Sequence, residues 1–148
     1  MKLFCGSSKR NKIVRAEIVH PSDYPKFEGI VPQKVIWATS QEQEAWIFAV
    51  FSSRTPFKLK SLLLRGSRKT VCEILVKREL TSDELMEMVY LHVLDGKHFK
   101  QVGNSPEWYC LKESLPDLSI RVRKIADLLA DWKETSSVEI KLAPELFE

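Results

Sequence analysis

The sequence is poor in the residues that stapled scaffolds and common cofactor sites depend on. It has three cysteines, three histidines and five glycines in 148 residues. Cys5, Cys72 and Cys110 are far apart and odd in number. That excludes a disulfide framework and a CxxC metal site, and it points to a reducing, cytoplasmic compartment. His20, His92 and His98 add no metal-ligand spacing, so no metal is expected. His92 alternates with Tyr90 and Leu94 as a structural strand residue would, and the other two fall in loop-like stretches. No GxGxxG, GxxxxGK[ST], GxSxG or HExxH occurs, which removes the usual dinucleotide, NTPase, hydrolase and metalloprotease signatures. The longest uncharged run, residues 45–53, is about half of the ~20 residues a membrane span needs, so no membrane is expected among the partners. The amino-terminal stretch is charged at Lys2 and polar from Cys5, unlike the apolar segment of a secretory signal.

What is there reads as an ordinary folded chain. With 44% hydrophobic and 29% charged residues, it is expected to form a single domain over residues 1–148. Net charge is +3, too small to indicate nucleic acid by itself, but its distribution is uneven. Residues 54–79 carry eight basic side chains (Arg54, Lys58, Lys60, Arg65, Arg68, Lys69, Lys77, Arg78) against Glu73 and Glu79, a net +6. Residues 127–148 carry six acidic side chains against Lys133 and Lys141, a net −4. Such a basic run is either a solvated face or a face that binds anions, a nucleotide phosphate or an acidic partner.

Periodicity outlines the elements. Residues 1–6, "MKLFCG", read as a short strand closed by Gly6. The polar stretch that follows, punctuated by Pro21, Pro25 and Pro32, reads as loop. "KVIWATS" gives a strand over residues 35–38, then Thr39 or Ser40 as the cap of a helix with Ala45, Ile47, Phe48 and Phe51 at helical intervals. "TVCEILVKRE" is a strand, and "TSDELMEM" a short helix capped by Ser82 or Asp83. "VYLHVLDGKHFKQV" alternates on both sides of Asp95-Gly96, which predicts a hairpin. "EWYCLKE" and "LSIRVRK" are strands separated by Pro116, "IADLLADWK" is a helix with Ile125, Leu128, Leu129 and Trp132 on one face, and "SVEIKLAPELFE" offers a last strand. The order is α+β, with short, largely antiparallel strands and a few helices.

Three pieces together carry a resemblance. "LFCGSS" resembles the first motif, L-[YF]-H-G-[ST], of the ADP-ribosyltransferase superfamily. "VIWATSQEQEAWIFAVF" is similar to its second, a strand ending near Ala-Thr that feeds a helix ending in Phe-Ala. "VYLHVLDGKHFKQVGNSPEWYCLKESLPDLSIRV" is similar to the closing segment, whose Glu-Trp strand bears the acidic residue. The likeness is to small bacterial and phage proteins of the "LYHGS … VFAT … EWVS" type, and it covers residues 2–7, 35–51 and 89–122.

The resemblance implies a split antiparallel sheet with short flanking helices and NAD as substrate, its ADP-ribose passing to a macromolecular acceptor. Gly6 and Ser7 would hold the nicotinamide amide, Thr39 would line the cleft, and one of Trp37, Trp46 and Phe48 would stack on the ring, with Phe48 preferred from the match to Phe-Ala. Glu107 would be the catalytic acid that holds the ribose and offsets the charge developing on it. Glu107 beside Trp108 reads equally as an outward-facing strand residue, and Gly6-Ser7 as a plain turn. Trp46 reads as core. Cys5 stands where the family has His, and a thiol is a poor substitute donor. It leaves two outcomes: an altered but active site, or a catalytically degenerate relative that binds protein or nucleic acid through residues 54–79. A nucleophilic Cys5 has no support in the sequence, because no His is near it along the chain.

Overall fold

The computed structural model describes residues 1–10, 13–15, 17–18, 34–63 and 70–147. In chain order these form β1 (Lys2–Ser7), β2 (Ile13–Arg15), β3 (Glu17–Ile18), β4 (Lys34–Thr39), α1 (Glu42–Phe51), β5 (Phe57–Leu63), β6 (Thr70–Val76), α2 (Ser82–Leu85), β7 (Met88–Asp95), β8 (Lys100–Gln101), β9 (Glu107–Cys110), β10 (Ser114–Pro116), β11 (Ser119–Lys124), α3 (Ile125–Thr135) and β12 (Val138–Leu142). The architecture is mixed α+β, mostly antiparallel, with three short helices among the described residues. The chain gathers into two compact units, residues 1–49 with 90–122 and residues 50–89 with 123–148.

The first unit centres on a seven-stranded sheet in the order β11-β7-β1-β4-β9-β8, with β3 also pairing β4. β1 pairs β7 along its whole length, Lys2 to Ser7, whereas its ladder with β4 is a single registered pair, Phe4 with Thr39. β4 then pairs β9 over four residues. One face of this sheet carries an apolar cluster of Leu3, Ile36, Ala38, Leu94, Phe99, Cys110 and Leu115, with Cys5, Val14 and Trp108 packed against it. Leu115 comes from β10, which pairs β2. Two short strands, β2 and β3, form in the stretch that composition predicts to be mostly loop; residues 11, 12, 16 and 19–33 of it lie outside the described residues.

Asp95-Gly96 does not close the expected hairpin. The Asp95 carboxylate accepts from the Lys97 N–H at 3.0 Å and starts a 3-10 turn at Gly96–His98. β7 pairs β1 and β11, while β8 lies across the sheet beside β9. Burial decides the pairing: Leu91, His92, Val93 and Leu94 are buried, and β7 needs a neighbour on each side, whereas both residues of β8 are exposed.

The second unit holds a three-stranded sheet, β12-β6-β5, with β5 antiparallel and β12 parallel to β6. The strand β5 has no counterpart in the sequence reading. Its alternation of Phe57, Lys58, Leu59 and Lys60 lies inside the basic run and was masked by charge. α3 buries Ile125, Leu128 and Trp132 as its period predicts, leaves Leu129 half-buried and ends on Ser136 at φ 53. α2 is capped by Thr81 rather than by Ser82 or Asp83: the Thr81 hydroxyl accepts from Glu84 N–H and the Glu84 carboxylate from Thr81 N–H. Arg78 grips that carboxylate at 2.7 and 3.0 Å, and with Thr81 holds it down to a pKa of about 2.

Candidate functional site

Side chains alternate across a strand, so residues adjacent in β1 leave on opposite faces of the sheet. Phe4 and Gly6 go one way; Leu3, Cys5 and Ser7 go the other. The registered pairs extend both sets. Val93, Phe4, Thr39 and Glu107 form one cross-strand row, and Gly6 shares their face. Cys5 is opposed by His92, and Ser7 by Tyr90, on the other face. The six predicted site residues are thus divided. Gly6, Thr39 and Glu107 share a face, whereas Cys5 and Ser7 leave by the other; Phe48 belongs to α1.

The Gly6 face is the one α1 covers. A Cβ built on Gly6 would lie 1.9 Å from the Ala45 carbonyl oxygen and 2.9 Å from Ala49 Cβ, so only glycine lets the helix backbone approach so closely. The same close approach leaves no room for a ring against Gly6 on this face. α1 enters through Thr39, whose hydroxyl accepts from Gln41 N–H at 3.1 Å, and Ser40 N–H donates to the Pro106 carbonyl at 3.0 Å beside β9. Nearly all of α1 is buried, including Trp46; Phe48, 39% exposed, is its one exposed large apolar side chain. Glu44 is buried at 8% exposure, and burial, with the Glu107 charge adding to it, raises its carboxyl above the ordinary range. A half-buried carboxylate and a buried carboxyl that resists ionisation thus stand on one face.

On that face, further along the sheet, Lys100 opposes Tyr109, two residues beyond Glu107 on β9. They line a cleft of about 360 Å³ with His98, Cys110, Leu111 and Lys112. Lys112 Nζ stands 3.5 Å from His98 Nε2, and with Lys100 these place cationic donors at a lining that is otherwise largely apolar.

The Cys5 face holds a buried polar pair. His92 Nδ1 meets Asp117 Oδ1 at 2.9 Å, with side chains only 2% and 6% exposed. Desolvation raises the Asp117 carboxyl, and His92 draws it back down. Asp117 Oδ2 and Trp108 Nε1 are buried without a hydrogen-bond partner among the described residues. Ser7 Oγ accepts from Lys9 N–H at 3.0 Å, a local turn. None of the three cysteines is in a disulfide, and Cys72 and Cys110 are buried while Cys5 is half-buried. Among the described residues no group of three His, Cys, Asp or Glu converges on a metal position, and no helix is long and apolar enough to cross a membrane.

Sequence reasoning missed Glu44, Asp117 and the pairing of His92 with Cys5. Glu44 gave no signal beyond a first-turn acid. Set beside known proteins, the chain matches no family model, no curated protein and no solved structure.

Proposed function

We propose that the chain is an ADP-ribosyltransferase-like protein that takes NAD as substrate and passes its ADP-ribose to a macromolecule. The observation that carries this reading is the Phe4–Thr39–Glu107 row, which sets the strands of all three motifs side by side. The one-pair ladder between β1 and β4 adds to it, since the sheet is least closed beside Gly6, as a split sheet requires. Phe48 is 39% exposed on α1, and Lys100 and Lys112 in the cleft beside Tyr109 suit a pyrophosphate. In this reading Glu107 offsets the positive charge that develops on the ribose as the N-glycosidic bond opens. Glu44 beside it is held toward its neutral form by burial and by the Glu107 charge. Of the first motif, the reading retains the backbone edge of Gly6. The side chains of Cys5 and Ser7 leave by the far face, so a ribose contact from Cys5 in place of the family's His forms no part of it.

The test is nicotinamide release and transfer by the full chain, beside NAD binding by calorimetry. Glu107→Gln is expected to abolish transfer while binding and fold persist; unchanged transfer removes Glu107 from its role, and absence of binding at millimolar NAD removes the reading. A second reading, capture of nucleic acid or an acidic protein by residues 54–79, is favoured by the exposure of Lys58, Lys60 and Lys77. Such binding must weaken steeply with salt, and an affinity flat across salt rules it out.

A further inference from the structure

We propose that Cys5, His92 and Asp117 form a separate reactive site, a thiol nucleophile with its base and orienting acid, that accepts acyl groups from thioesters and activated esters. It lies on the sheet face opposite Glu107 and does not depend on NAD chemistry. Asp117 reaches His92 from the β11 side of β7, where the neighbouring Leu118 N–H donates to the Val93 carbonyl at 2.8 Å. β1 lies on the other side of β7, and its residue in register with His92 is Cys5. Opposed side chains in an antiparallel pair have Cβ atoms about 4.5–5.5 Å apart, which brings a thiol within reach of an imidazole.

With Asp117 ionised, Nδ1 carries the hydrogen that the carboxylate accepts, and Nε2, at the ring edge away from Asp117, is the acceptor. That is the base–orienter order of a nucleophilic triad, assembled from positions scattered along the chain. Trp108 Nε1 supplies the donor such a site needs. It is buried and has no partner among the described residues, and its ring packs against the same apolar cluster as Cys5. A buried N–H left over in this way is suited to a developing oxyanion.

In the first step the Cys5 thiol proton passes to His92 Nε2 and sulfur adds to the acyl carbon. As the carbon–leaving-group bond breaks, His92 returns the proton to the departing thiolate or alkoxide, leaving an S-acyl Cys5. Water then adds to the thioester with His92 taking its proton, the C–S bond breaks, and the thiol is restored. No oxidant or reductant is involved.

The test uses the full chain with iodoacetamide and, separately, p-nitrophenyl acetate at neutral pH, followed by mass mapping. Buried Cys72 and Cys110 serve as internal controls. An activated Cys5 is expected to alkylate about tenfold faster than free cysteine. It is also expected to give a burst of one equivalent of nitrophenolate, with the acetyl group on Cys5 and no burst in Cys5→Ala. His92→Gln is expected to return the alkylation rate to that of free cysteine; should that variant not fold, the wild-type rate and the acetylated position decide alone. A Cys5 that alkylates no faster than free cysteine overturns the proposal. So does fast alkylation without acetylation of Cys5.

Discussion

The two faces of the central sheet use the same strands and solve opposite problems. Facing α1, β1 offers the absence of a side chain at Gly6, and a helix carbonyl fills the space. On the other face β1 offers Cys5, and the space around it holds a buried imidazole–carboxylate pair. One face gains stability by close backbone approach; the other retains polar atoms in an apolar cluster, which is costly unless each is paired. The motif "LFCGSS" is therefore not one site. Its odd and even residues serve different faces, and whatever chemistry one face performs is insulated from the other by the thickness of the sheet.

Substitutions can break this comparison or sharpen it. Gly6→Ala is expected to have the largest effect, a loss of about 3 kcal/mol in urea unfolding, because the added methyl meets helix backbone that cannot yield. Its sequence neighbour offers the contrast: Cys5→Ala, at a half-buried thiol, costs about 1 kcal/mol or less. Equal losses at the two positions would mean that α1 does not depend on the close approach. Asp117→Ala comes next, at about 2 kcal/mol, since it strands a buried His92. Asp117→Asn, which keeps an acceptor for Nδ1, is expected to recover much of that, and a failure to do so would assign the stability to charge instead.

The smallest effect is at Glu44 and changes with pH. A carboxyl whose folded pKa is raised stabilises the folded chain fully below its ordinary value of 4.5, and that contribution is lost as pH rises through the folded value. Glu44→Gln, neutral throughout, should then unfold at higher urea than the wild type at neutral pH and match it below 4.5. A loss of stability at both pH values would instead show that the carboxylate is held by contacts a neutral amide cannot replace.

Much of the fold was legible where local pattern and burial agree. β4 and α3 follow from β-branched and apolar periodicity, because each buries the residues its own sequence marks. α1 follows from its cap and apolar content, but it is buried nearly all round and exposes Phe48, which the spacing groups with Ala45, Ile47 and Phe51. Pairing was not legible. Asp95-Gly96 has hairpin chemistry, yet its flanks pair with strands far along the chain, and no local feature reports that. The parallel pairing of β12 with β6 is invisible for the same reason. Of the site, alternation in β1 was available from the sequence and already separates Cys5 from Gly6. The meeting of Cys5, His92 and Asp117 was not available, since it depends on the register of β7 and on the turn after β10.

The division of the chain into two units bears on how the protein is made. The chain passes between the units at 49/50, 89/90 and 122/123, so neither is a continuous stretch of sequence. β1 leaves the ribosome long before β7, its partner along six residues, and β6 long before β12. Until those strands arrive, unpaired edges with apolar faces persist, the condition under which nascent chains recruit chaperones or aggregate. Closure of both units over such sequence distances makes folding slow for a chain of this size. The first unit closes only once β7 has emerged to pair β1, and the second only once β12 has emerged to pair β6.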